Sequence, residues 1–260
     1  MIKMKKTAVI TGATSGIGRE LAEIFANKGY SLFLASRNEE KLSSMCEDFK
    51  ARFEDAEFDF IAVDLSDMAQ TDKLCGVLQN MHIDVLVNNA GFGMTGEFIE
   101  HDKTQLREMM NLNMLALTHI THAVLPQMKE RRSGNIINVA SIAAFMPNPY
   151  GSVYAATKAY VKSLSEAIGQ EVKGYNIKVT ILCPGPTETG FGSRSGMDKS
   201  PVFSKGVMNA EKVAAAAYNA MKKGKRTVVP GAHNKAMVTA AKLLPVGVVL
   251  TVATFMLKHD

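Results

Sequence analysis

Short β-rich runs alternate with longer amphipathic segments throughout this chain of 260 residues. The β-rich runs cover about residues 6–11, 31–36, 58–63, 83–88, 134–141, 176–183 and 226–229. Strands that alternate with helices form parallel sheets, because each crossover helix packs on one face of the sheet. We therefore predict an α/β fold with a doubly wound parallel seven-stranded sheet and helices on both faces. Residues 1–260 would form one domain.

Composition excludes several classes of protein. The net charge is +5, and charged residues of both signs are scattered along the chain. No basic stripe interleaved with aromatic residues occurs, so we predict no nucleic-acid partner. Cys46, Cys75 and Cys183 have no paired metal-ligand spacing and are odd in number, which predicts no metal site and favours a reducing compartment. The charged N-terminus leads directly into a strand-like run that is too short for an export signal. We expect a cytoplasmic protein.

The last part of the chain differs from the rest. Residues 236–257 are almost entirely apolar, but Lys242 and Pro245 interrupt them, so a clean membrane span of about 20 residues is not formed. We expect a C-terminal helical extension over about residues 233–260. It either packs on the core or a second subunit, or it lies at a membrane interface. The glycine-rich segment 190–206 is expected to form a mobile lid over the substrate.

Three glycines occur within the eight residues TGATSGIG, residues 11–18, between the first strand and the first helix. Gly12 would permit a sharp turn, Gly16 would admit a pyrophosphate closely, and Gly18 would let helix and strand pack. Amides at the helix N-terminus favour an anion. The spacing GxxxGxG differs from GxGxxG, and a P-loop lysine is missing, so a glycine turn without a ligand is the alternative.

Four motifs in this order resemble the short-chain dehydrogenase/reductase family: TGATSGIG, NNAG at 88–91, YAATK at 154–158 and PGPTET at 184–189. The resemblance spans about residues 6–230 and leaves the apolar tail outside. It implies a Rossmann-type fold, a nicotinamide dinucleotide, and hydride transfer between that cofactor and a carbonyl or alcohol substrate. It also implies a homo-oligomer.

Tyr154 and Lys158 stand four residues apart on a predicted helix, so their side chains share one face. A nearby ammonium stabilises a phenolate, and we expect Lys158 to lower the pKa of Tyr154. Ser141 ends the fifth strand, 13 residues before Tyr154, where its hydroxyl can bind a substrate carbonyl. In the mechanism that the resemblance implies, Tyr154 donates a proton to the carbonyl oxygen and Lys158 also contacts the nicotinamide ribose.

Three further positions have alternative interpretations. Asn113 matches the family's helix asparagine, which binds a water that relays protons to Lys158, and Asn111 is the rival position. Tyr150 belongs either to the substrate pocket or to packing. Tyr218 repeats the spacing to a lysine, Lys222, but has no serine in register, and we interpret it as ordinary helix surface.

The resemblance also implies the cofactor contacts. Asp64 would border the adenine, and Thr189 would bind the nicotinamide carboxamide, whereas the role of the Thr187 side chain stays open. The full set of predicted cofactor residues is Gly12, Thr14, Ser15, Gly16, Ile17, Gly18, Ser36, Arg37, Asp64, Leu65, Asn89, Ala90, Gly91, Tyr154, Lys158, Pro184, Gly185, Thr187 and Thr189.

The end of the second strand indicates which dinucleotide binds. NAD-dependent relatives carry an acidic residue there, but this chain has Ser36 followed by Arg37. A carboxylate repels a 2′-phosphate, whereas a hydroxyl and a guanidinium bind it, so we predict NADP(H). Arg19 either assists or is an exposed arginine of the helix surface.

Three functions remain open at this level. The first is an NADP(H)-dependent carbonyl reductase, the second a non-catalytic dinucleotide-binding regulator, and the third a membrane-apposed reductase of lipid-like or acyl substrates. Ser141, Tyr154 and Lys158 are all present, which disfavours the regulator. Segments 92–98, 143–150 and 190–206 would determine the substrate. Within them, the residues that form either an apolar pocket or part of the core or lid packing are Phe92, Phe145, Met146, Phe191 and Met197.

Overall fold

A computed structural model describes residues 5–54, 56–196 and 207–257. Its main sheet has seven strands in the order β3-β2-β1-β4-β5-β6-β9, and every neighbouring pair is parallel. The strands of this sheet are β1 Thr7–Thr11, β2 Ser31–Ser36, β3 Phe58–Ala62, β4 Val85–Asn88, β5 Gly134–Val139, β6 Ile177–Leu182 and β9 Thr227–Val228. The predicted doubly wound α/β fold is confirmed.

Helices follow the strands on both faces of the sheet. They are α1 Gly16–Asn27, α2 Glu39–Arg52, α3 Met68–Leu78, α4 Lys103–Met110, α5 Leu117–Arg131, α6 Ser152–Glu171, α7 Phe191–Ser195, α8 Ala210–Lys222, α9 Ala232–Leu243 and α10 Val246–Leu257. A π-helical turn, Asn111–Ala116, joins α4 to α5. Short 3-10 helices occupy Phe98–Glu100, Ile142–Phe145 and Lys173–Tyr175.

Successive side chains of β1 supply the two faces of the core. Ile10 packs in a cluster with Phe25 of α1, whereas Val9 packs in a second cluster with Ile120 of α5. Alternation of this kind follows from the two-residue period of a strand, and it buries β1 on both sides. β1 pairs with β2 on one side and with β4 on the other. The order in which successive strands are added to the sheet therefore reverses at β1. Ligands of doubly wound sheets bind at this point, beyond the carboxyl ends of the strands.

Two further strands were not predicted. β7 Thr187–Glu188 pairs in parallel with β8 Met208–Asn209 as a separate two-stranded sheet. Two residues are too few to show a period of two, so periodicity does not reveal β7 and β8.

The apolar tail forms two helices, α9 and α10, because Pro245 interrupts the segment after Leu244. Asn234 and Val238 of α9 and Val249 and Ala253 of α10 are buried. Among the described residues, no helix is long and apolar enough to cross a membrane.

A buried chain of hydrogen bonds connects β4 and β5 to helix α6. Asn88 Nδ2 donates to Asn138 Oδ1 at 2.9 Å, Asn138 Nδ2 donates to Ser165 Oγ at 2.8 Å, and Ser165 Oγ donates to the Val161 carbonyl. All four residues are buried. Since buried polar groups are costly to leave unpaired, these bonds determine how α6 sits on the sheet.

We predict that Ser165→Ala lowers the free energy of unfolding by about 1–3 kcal/mol, because Asn138 Nδ2 would lose its acceptor inside the core. Ser163→Ala, two residues away on the exposed side of α6, is the matched control and should change stability by less than about 0.5 kcal/mol. Equal unfolding free energies for the two variants in urea titrations would contradict this account.

Candidate active site

The glycine loop between β1 and α1 adopts backbone conformations that favour glycine. Gly12 has φ of 66° and Gly16 has φ of 53°, both in the left-handed region. A Cβ atom on Gly16 would lie 2.6 Å from Thr189 Cγ2. A Cβ atom on Gly18 would overlap the Gly12 carbonyl oxygen and the Asn89 side-chain nitrogen. Any side chain at these positions would therefore open the loop.

The NNAG segment holds this loop in place. Asn89 Nδ2 donates to the carbonyl oxygens of Thr11 at 3.0 Å and Gly12 at 3.1 Å. In return, Thr11 Oγ1 accepts from the amides of Asn89 and Ala90, both at 3.0 Å. Four bonds thus connect the ends of β1 and β4, and the loop does not depend on a ligand for its shape.

Polar and charged side chains gather where β2 and β3 end. Thr14 Oγ1 and Ser36 Oγ are joined by a hydrogen bond of 2.9 Å, and Arg37 Nη1 lies 3.7 Å from Asp64 Oδ2. Burial opposes ionisation of Asp64, but hydrogen bonds from Ser66 and the Arg37 guanidinium outweigh it and hold the pKa of Asp64 below its usual value. Lys41, which the sequence analysis missed, also lines this end of the cleft.

At the other end of the cleft, the predicted acid/base residues meet. Tyr154 and Lys158 lie on one face of α6, and the Tyr154 hydroxyl is hydrogen-bonded to Ser141. Lys158 Nζ donates to the Val139 carbonyl at 3.0 Å and lies 5.8 Å from the centroid of the Tyr154 ring. All three side chains are buried, yet all three line the cleft.

Burial dominates the titration of this pair. It raises the pKa of Tyr154 to about 12, which the hydrogen bond with Ser141 only partly offsets, and it lowers the pKa of Lys158 to about 8. The prediction that Lys158 lowers the pKa of Tyr154 is therefore wrong for this structure. Desolvation by the surrounding elements dominates, and the hydrogen bond with Ser141, not the Lys158 ammonium, is what lowers the pKa of Tyr154.

Asn113 lies beneath the cleft, within the π-helical turn. Its Nδ2 donates to the Phe92 carbonyl at 2.9 Å and to Thr157 Oγ1 at 3.0 Å, and its Oδ1 accepts from the Phe92 amide at 3.1 Å. A Cβ atom on Gly91 would lie 2.9 Å from Asn113 Oδ1 and 3.3 Å from Lys158 Nζ. Asn113 thus comes close to Lys158 across Gly91.

The rival asparagine has a different environment. Asn111 Nδ2 donates to the Ser66 carbonyl at 2.9 Å, so its side chain points toward the loop after β3. The Tyr218 ring is half-buried against Phe25, with ring centroids 5.3 Å apart, rather than lying freely on the helix surface.

One cleft of about 500 Å³ joins the two ends of the site. Apart from Gly18 and Asn113, which lie beneath its surface, every predicted catalytic and cofactor residue lines it. Arg19 is exposed and lies outside the lining, and so does Tyr150. The Thr187 hydroxyl, whose role was open, donates to the Gly185 carbonyl at 2.9 Å.

The end of the cleft near Tyr154 is largely apolar. Phe92, Met146 and Phe191 line it as predicted, whereas Phe145 lies instead between Lys162 and Lys242, with each ammonium about 5 Å from its ring. Met197 and the rest of segment 197–206 lie outside the described residues.

The two tail helices form part of the same wall, which the sequence analysis did not anticipate. Asn234, at the start of α9, is buried directly above Gly185, where a Cβ atom would overlap its side chain. The helical spacing of the apolar residues in α9 is the signal that could have indicated a packed face. The tail residues in the wall are Met237, Ala240, Ala241, Leu244, Val249, Val252 and Ala253.

Comparisons with known proteins identify relatives of this chain. The family model for short chain dehydrogenases matches residues 6–199. Very-long-chain 3-oxoacyl-CoA reductase from Rattus norvegicus is 36% identical over 189 residues, which cover 70% of this chain and 59% of the rat protein.

Two solved structures are similar along nearly the whole chain. A short-chain dehydrogenase from Sphingobium yanoikuyae in complex with NADPH has a TM-score of 0.83 and 28% identity, and the match covers 98% of both chains. A Burkholderia phymatum short-chain dehydrogenase/reductase in complex with NAD has a TM-score of 0.81 and 26% identity, with 90% of this chain and 92% of that chain covered. With the match of the family model, these similarities show that this chain belongs to the short-chain dehydrogenase/reductase family of oxidoreductases.

Proposed function

We propose that the protein is an NADP(H)-dependent reductase of a ketone or aldehyde with an apolar substituent. The observation that carries this proposal is that Ser141, Tyr154 and Lys158 line the same cleft as the glycine loop. A cofactor bound along the loop would therefore extend toward the hydroxyl groups that handle the carbonyl oxygen.

The residues present suit a nicotinamide dinucleotide. The positive φ angles of Gly12 and Gly16 keep the loop free of side chains, and the N-terminus of α1 offers amides to a pyrophosphate. Pro184, Gly185 and Thr189 line the same cleft, and the nicotinamide end would lie beside them. When bound, this cofactor supplies the hydride for the substrate carbon.

Ser141 and Tyr154 would act together on the carbonyl oxygen. Both hydroxyls line the cleft, and an oxygen held between them can accept two hydrogen bonds that strengthen as negative charge develops. Because the pKa of Tyr154 is raised, the phenol stays protonated at neutral pH, and this is the form that a proton donor needs for reduction. The pKa of Lys158, at about 8, allows it to exchange protons near neutral pH.

The phosphate preference rests on the charges near the end of β2. Ser36, Arg37 and Lys41 line this part of the cleft and provide one hydroxyl and two cations. Asp64 is the opposing charge, but it lies after β3 and is already close to the Arg37 guanidinium. The local balance favours a 2′-phosphate over a 2′-hydroxyl.

The apolar wall supports an apolar substrate. Phe92, Met146, Phe191 and the tail helices offer mainly hydrocarbon surface next to Tyr154. An acyl chain is the second candidate for the substituent, supported by this wall and by the 3-oxoacyl-CoA reductase name of the rat relative.

We predict that Tyr154→Phe lowers kcat for carbonyl reduction by a factor of about 10²–10⁴, because the proton donor is lost. The matched control is Tyr218→Phe, which removes the hydroxyl of a tyrosine that also has a lysine four residues on but lies outside the cleft lining. Its kcat should stay within about twofold of the parent. NADPH oxidation with a panel of ketones and aldehydes measures both, and an unchanged rate for Tyr154→Phe would refute the proposed role.

We also predict that the KM for NADPH is lower than the KM for NADH, and that Arg37→Ala raises the KM for NADPH by about 10- to 100-fold. Its KM for NADH should change little, because no 2′-phosphate is present to lose a partner. Arg19→Ala is the control, since Arg19 lies outside the cleft lining. Equal or better use of NADH by the parent enzyme would refute the NADP(H) assignment.

A further inference from the structure

Helix α10 is apolar on nearly every side, but it contacts the rest of the protein through one narrow stripe. Among the side chains of residues 246–255, Val249 and Ala253, four residues apart, are the buried ones. Phe255 is 86% exposed. We define the tail surface as the exposed apolar residues of α10, the turn before it and the last residue of α9, namely Leu243, Leu244, Val246, Val248, Leu250, Val252 and Phe255.

Such a surface is unfavourable in water. A helix that is apolar all round is normally buried, and a continuous exposed patch of large apolar side chains marks a place where something docks. The patch is continuous with the cleft, because Leu244 and Val252 belong both to the tail surface and to the cleft wall. Whatever covers the tail surface therefore also lies next to the mouth of the cleft.

The segment that carries this surface has charged side chains of one sign only. Residues 212–257 contain seven lysines and arginines and no aspartate or glutamate, although the whole chain has a net charge of only +5. Lys235 and Lys242 are exposed and lie seven residues apart on α9, so they share one side of the helix that leads to the tail surface. Apolar side chains beside exposed lysines suit an interface of acyl chains and anionic headgroups.

A second copy of the chain fits less well. A two-fold interface places the same patch of each copy opposite itself, so lysines from both copies would approach one another. No acidic residue between 212 and 257 is available to pair with them.

We infer that the tail surface docks on an anionic lipid bilayer. Helix α10, about 18 Å long at 1.5 Å per residue, lies in the plane of the interface and does not span it. The mouth of the cleft then opens at the membrane. This inference goes beyond the proposed reductase and stands without it, because docking needs neither the cofactor nor turnover.

The test is co-sedimentation of the full-length protein with vesicles of phosphatidylcholine alone or with about 30% phosphatidylglycerol. We expect binding to the anionic vesicles, several-fold weaker binding when the salt is raised from about 0.1 M to 0.5 M, and little binding to the neutral vesicles. The triple variant Val246→Ser, Val248→Ser, Phe255→Ser should bind at least about tenfold more weakly. None of these three residues lines the cleft.

The matched control is Phe98→Ser with Ile99→Ser, because both side chains are exposed and apolar but lie outside the tail. This variant should bind anionic vesicles as the parent does. Failure of the parent to sediment with anionic vesicles would overturn the inference. So would a triple variant that still binds vesicles but no longer forms a dimer in size-exclusion chromatography, since a second copy would then cover the surface.

NADPH oxidation with a water-soluble ketone is measured separately on each protein, without vesicles. If the parent protein reduces the ketone but does not sediment with anionic vesicles, only the docking inference is refuted. If the parent protein sediments with anionic vesicles but does not reduce the ketone, only the proposed function is refuted.

Discussion

Burial of a phenol and an ammonium side by side is the constraint on which the rest of this site depends. Water would hold Tyr154 and Lys158 near their ordinary titration ranges, but the sheet edge and the surrounding loops exclude it. The pair is then held by few polar contacts, chiefly the Ser141 hydroxyl and the Val139 carbonyl. Small displacements of α6 would change both contacts, which explains why a buried network ties this helix to β5.

The two ends of the cleft are built on different principles. At the glycine loop, backbone conformation matters most, and Asn89 binds the loop so that its shape exists before any ligand arrives. Such preorganisation reduces the entropy lost on binding. At the end near Tyr154, the wall is assembled from side chains of remote segments, including α9 and α10, and its shape depends on how the tail packs.

These differences determine what could be predicted from the sequence. The seven strands of the main sheet and the glycine loop were predictable, since strand-like runs and glycine requirements are local properties of the chain. The raised pKa of Tyr154 was not, because it arises from elements far apart in sequence that surround the ring. The contribution of the tail to the cleft and the different partners of Asn111 and Asn113, which both lie in the π-helical turn, likewise depend on tertiary packing.

The ionisation of Tyr154 in the cofactor-free protein is the most direct test of the central claim. Carbon-13 NMR of Cζ-labelled tyrosine follows each phenol, and comparison with Tyr154→Phe assigns the signal. If burial governs the pair, the Tyr154 signal should be no more than about 10% ionised at pH 11, as a pKa of about 12 requires. A signal that is half ionised at pH 10 or below would contradict the account.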